Sequence, residues 1–129
     1  MKNTDLLLMA SAAVYGLAGL AGTFFPDMLA MSTAGAASPA LVLVIQFAAA
    51  AYCGFAMLNW MLRDTPIGGI YGRPLVVANV LHFFMVAMVL TRLVLHGARG
   101  PLHLAVTAVA WIFAAAFGRI LFGSGPASS

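Results

Sequence analysis

Four apolar runs organise the chain, at Leu6–Phe25, Ala40–Leu62, Leu75–Leu95 and Leu102–Phe122. Each is close to the ~20 residues that an α-helix needs to cross ~30 Å of hydrocarbon at ~1.5 Å per residue. None alternates polar and apolar residues as a half-buried strand does, and Ala and Leu recur throughout. Lipid tolerates only helices and closed barrels, because every backbone polar group must be satisfied within the fold. The pattern therefore predicts a single all-α domain over residues 1–129, an up-down antiparallel bundle of four transmembrane helices.

The interruptions are chemically legible. Pro26-Asp27 closes the first run and Ser38-Pro39 opens the second. Arg63–Pro74, with Pro66, Gly68, Gly69 and Gly72, separates the second from the third, and His96–Pro101 separates the third from the fourth. The small, polar tail Gly123–Ser129 reads as a frayed end. Ala34-Gly35-Ala36 has the small-x-small form of a signal cleavage site. The first run exceeds the ~7–15 residues of a signal h-region, so it is expected to stay as a span.

Composition removes the soluble classes. The chain is 64% apolar and 7% charged, with a mean hydropathy of +1.05; a soluble domain has about 45–50% and about 25%. Disorder is excluded on the same grounds. Six Lys and Arg against three acids leave a net charge of +3. These cations are scattered singly at segment ends and form no basic stripe for nucleic acid. Lys2, Arg63, Arg73 and Arg119 fall on one side of four spans, Arg92 and Arg99 on the other. That excess predicts both termini in the cytoplasm.

In lipid, helices associate through close backbone approach and interhelical hydrogen bonds. Ser11, Tyr15, Gly19 and Gly22 form one such stripe. Ala50-x-x-x-Gly54 and Ala110-x-x-x-Ala114-x-x-x-Gly118 supply two more, suited chiefly to packing within the chain and otherwise to a homo-oligomer.

Polar side chains at depth are the stronger clue, since each is costly unless paired. Asn59 and Asn79 fall near the cytoplasmic edge of consecutive spans. Tyr15, Tyr52, His82 and Trp111 lie roughly 12–16 Å in, one per span. Tyr52 shares a helix face with Asn59, and Asn79 with His82. A polar core is expected, with Asn59 and Asn79 together at its mouth and Tyr15 and Tyr52 around His82 further in. It serves either as structural glue or as a cleft for a headgroup or a proton relay.

No catalytic or metal constellation stands out. The acids Asp5, Asp27 and Asp64 all stand at segment ends, which disfavours an ion-coupled carrier. His82 and the His96/His103 pair differ in depth by roughly 20 Å, too far to share a haem. A soft site from Cys53, Met57, His82, Met85 and Met88 would suit Cu(I), but Met is also a routine gap-filler. The lone Cys53 permits neither an internal disulfide framework nor a Cys-based zinc site. No cofactor and no metal are expected.

The Arg63–Pro74 segment is the most individual. Ile67, Ile70 and Tyr71 suit the membrane interface, and Tyr71 beside Arg73 suits the headgroup layer. The segment is either an interfacial turn or a lid over Asn59 and Asn79, with Arg63 and Arg73 taking a phosphate or carboxylate. Gly68-Gly69-Ile70-Tyr71-Gly72-Arg73-Pro74, followed by Ala78-Asn79 and His82-Phe83, resembles stretches of small, uncharacterised bacterial four-helix membrane proteins. The resemblance covers the second and third spans and their loop. It implies a bacterial inner-membrane setting and no activity.

The leading expectation is thus a non-enzymatic accessory or assembly subunit, or a homo-oligomer, that binds membrane lipids or a membrane-protein partner. The alternative is a small hydrophobic-molecule site, as a lipid or isoprenoid binder or an isomerase- or cyclase-type enzyme. There His82 would exchange the proton with Tyr15 or Tyr52 as its hydrogen-bond partner.

Overall fold

The computed structural model describes residues 3–65, 70–97 and 100–123. They form helices α1 (Asn3–Phe24), α2 (Pro26–Ala34), α3 (Pro39–Met61), α4 (Gly72–Leu95) and α5 (Pro101–Gly123), and no strand occurs among them. Lys2, Arg99, residues 66–69 of the central loop and residues 124–129 of the tail lie outside the described residues.

Helices α1, α3, α4 and α5 have 22 to 24 residues and mean hydropathies of 1.7 to 2.1. All four are long and apolar enough to cross a membrane. Their outward surfaces carry large apolar side chains, including Leu17, Phe47, Met85 and Ile112, each at least 64% exposed. Exposed apolar surface on this scale calls for lipid as the surrounding solvent. The chain is an all-α, multi-pass membrane protein.

The first apolar run does not simply stop at Pro26. Phe25, at φ −129° and ψ 44°, breaks the helix, and Pro26 then begins α2. Proline cannot continue α1, for want of a backbone N–H, but its fixed φ suits the first position of a new helix. Helix α2 ends at Gly35, whose φ of 70° lets its N–H reach Met31 O at 2.9 Å. Helix α3 starts as the sequence suggests: Ser38 Oγ accepts from the Leu41 N–H at 3.2 Å, with Pro39 in the first turn.

The chain divides into two compact units, Met1–Asp64 and Thr65–Ser129. In the first, α1 and α3 pack antiparallel and α2 packs on α3. Leu8, Ser11, Ala12, Tyr15, Gly19 and Gly22 form the buried stripe of α1 at helical spacing. A Cβ at Gly19 would lie 2.6 Å from Cys53 Sγ and 3.0 Å from both Ala49 O and Cys53 N. The backbones approach so closely that only glycine fits. In the second unit α4 and α5 form an antiparallel hairpin. Phe83 of α4 stacks on Phe113 and Phe117 of α5, with centroids 4.7 and 6.0 Å apart.

Candidate functional site

The first unit holds the clearest polar contact between two helices. Asn59 Nδ2 donates to Ser11 Oγ at 2.8 Å, and that hydroxyl donates to Leu8 O at 2.9 Å. Both side chains are wholly buried. A hydroxyl can donate and accept together, so Ser11 links α3 to the backbone of α1. Asn59 was expected in a polar core. Ser11 figured only as a small packing residue, although its place one turn before Tyr15 on the same stripe marks it as inward-facing.

Tyr15 lies one turn further along. Its ring stacks on Phe55 at 5.2 Å and meets Tyr52, tilted, at 5.8 Å. The structure thus brings Tyr15 and Tyr52 together, as the sequence suggested, and adds Phe55, which the sequence did not single out.

In the second unit Asn79 is buried, and its Nδ2 donates to Leu75 O one turn back at 2.9 Å. His82 follows on α4, half-buried, with its ring edge-on to Phe83 at 5.8 Å. Trp111, which the sequence puts at a depth similar to His82, lies on α5. It is 39% exposed, and its indole N–H donates to Thr91 Oγ1 at 3.0 Å. Thr91 in turn donates to Ala87 O at 2.7 Å. Indole needs one acceptor when withdrawn from water, and Thr91 is the hydroxyl within reach on α4.

At the C-terminal end of α3, Arg63 lies over the indole of Trp60, 4.4 Å from the ring centroid. Its Nη1 donates to Trp60 O at 2.7 Å, and its Nη2 is 3.5 Å from Asp64 Oδ2. The Arg63–Asp64 pair was legible from adjacency. Trp60 was missed, although an aromatic three residues before an arginine at a helix end signals such stacking. Ile70, Tyr71 and Arg73 are exposed. Gly68 and Gly69, part of the proposed lid and of the family resemblance, lie outside the described residues.

The small-residue stripes divide. Ala49 and Cys53 pack against Gly19 and Gly22, whereas Ala50 and Gly54, one position further on, face outward. A Cβ at Gly54 would meet nothing within 4 Å. Gln46, one turn before Ala50, is exposed on the same face. In α5, Ala110 and Ala114 are buried and Gly118 is half-buried. Of the soft-metal candidates, Met57, Met85 and Met88 are exposed. Among the described residues no three His, Cys, Asp or Glu side chains converge.

A groove opens between α1 and α3, lined by Met9, Ala13, Gly16, Ala56, Met57 and Trp60 among others, with a volume of about 390 Å³. Its walls are almost entirely apolar. Comparison with protein-family models, curated proteins and solved structures finds no match.

Proposed function

We propose that this chain is a non-enzymatic membrane module that works by association, pairing with a second copy of itself through the outer face of α3. The setting is a bacterial inner membrane, with both termini in the cytoplasm. One observation carries the proposal: Gln46 is exposed on α3 among the exposed apolar side chains Leu43, Val44 and Phe47, about 10 Å along the helix axis from Pro39. An amide facing hydrocarbon is costly, and pairing it with the same amide across a two-fold axis relieves that cost. Ala50 and Gly54 continue the stripe at four-residue spacing, which lets two backbones come close enough for the pairing. Helix α3 also has the highest hydropathy of the four, 2.1, and the smallest buried share, 6%.

Native mass spectrometry from a mild detergent tests this. The wild-type chain is expected as a dimer, and Gln46→Leu and Gly54→Leu are expected to shift it to monomer by about tenfold in dissociation constant, since one such contact is worth about 1–2 kcal/mol. A strictly monomeric wild type, or variants that dimerise as well as wild type, would reject the proposal.

A further inference from the structure

The groove between α1 and α3 has a defined length and one polar end. Measured along α1 from Met9 to Leu20, it runs about 16 Å. That is about half of the ~30 Å hydrocarbon core, the depth of one leaflet. Small residues make the hollow: Ala13, Gly16 and Ala56 leave space that larger side chains on either flank do not fill. Its volume of about 390 Å³ falls within the range of small-molecule sites.

At the end of this groove stands Trp60, with the Arg63 guanidinium over its ring. Trp60 and Arg63 lie where α3 ends, at Met61, the level at which indoles and cations settle in the headgroup layer. Arginine carries five donors in a planar fork, and the contacts to Trp60 O and Asp64 engage Nη1 and Nη2. Its place over the indole, together with the bond to Trp60 O, holds the guanidinium at this end of the groove, where its remaining donors suit a phosphate oxygen.

We propose that the α1–α3 groove binds one anionic phospholipid, an acyl chain lying along Ala13, Gly16 and Ala56 and the phosphate meeting Arg63. The two-part chemistry of the site selects this occupant. An apolar channel one leaflet deep accepts a chain, and a positioned cation at its mouth complements an anionic head. Asp64 is the anion nearest that cation, so it competes with the headgroup and holds the affinity down.

The test is native mass spectrometry of the full chain from detergent, supplied with phosphatidylglycerol and phosphatidylcholine of identical acyl composition. The wild type is expected to retain phosphatidylglycerol about fivefold over phosphatidylcholine, the effect of one partly exposed charge contact. Arg63→Gln should erase that preference, Arg63→Lys should keep part of it, and Asp64→Asn should raise it. Ala13→Phe, at an exposed position that fills the hollow, should reduce retention of both lipids. Equal retention of the two lipids by wild type, an unchanged preference in Arg63→Gln, or undiminished retention in Ala13→Phe would each overturn the proposal. Lipid bound per chain and subunit count are separate readings of one spectrum, so this result stands apart from that on dimerisation.

Discussion

The two units face one physical problem and solve it in different ways. Lipid tails are as apolar as leucine, so neither helix pair gains from leaving its solvent, and each must hold by contact. In α1–α3, glycines bring the backbones together and the buried Asn59–Ser11 bond spans the seam. In α4–α5, bulk replaces proximity. Phe83, Phe113 and Phe117 interlock as near-parallel rings, with interplanar angles of 12° to 26°, and the Trp111–Thr91 hydrogen bond that joins the two helices is exposed. A glycine seam tolerates no added atom, whereas a ring stack tolerates addition at its margins but not removal at its centre.

The sharpest way to break the first solution is Gly19→Leu. Its Cβ would meet the backbone of Ala49 and Cys53, which cannot swing aside. The expected loss is about 3 kcal/mol, the upper end for overpacking, measured by reversible unfolding in dodecyl sulfate. Gly118→Ala is the control, since a Cβ there meets nothing within 4 Å. It should change stability by less than about 0.5 kcal/mol.

The second solution breaks by deletion. Phe83→Ala removes the ring that touches both Phe113 and Phe117. In water such a change costs about 3–5 kcal/mol, of which part is transfer. With lipid as the alternative solvent the lost ring packing remains, and about 2 kcal/mol is expected in the same assay. If Phe83→Ala proves costlier than Gly19→Leu, the contrast between the two units fails.

The smallest effects sharpen the comparison of the polar contacts. A double-mutant cycle on Ser11→Ala and Asn59→Leu should give a coupling of about 1 kcal/mol, and one on Thr91→Val and Trp111→Phe about 0.5 kcal/mol or less. The buried pair lies between closely approaching backbones, while Trp111 remains open to its surroundings. Equal couplings would show that burial does not separate the two contacts.

Much of the architecture was legible because hydropathy and length suffice to define a span. All four long helices, α1, α3, α4 and α5, start and end within three residues of the predicted runs. Helix α2 was not legible, because Pro26 serves equally to end one helix and to begin another. Asn59 was identified as a polar-core residue from its depth, but its partner Ser11 was not, since hydrogen bonding between helices depends on rotation about both axes. The stripe at Ala50 and Gly54 was likewise visible, and only the register of α3 on α1 showed that Ala49 and Cys53, not these two, make the contact.

The amino-acid sequence by itself determined the solvent, the secondary structure and the number of spans, because each follows from the apolar content of a stretch of chain some twenty residues long. Tertiary structure alone decided which side of each helix turns inward, and with it the Gly19 close approach, the Asn59–Ser11 bond and the groove that ends at Trp60. In a helix apolar on every side no hydrophobic face dictates rotation, so shape and a few hydrogen bonds choose the facing side.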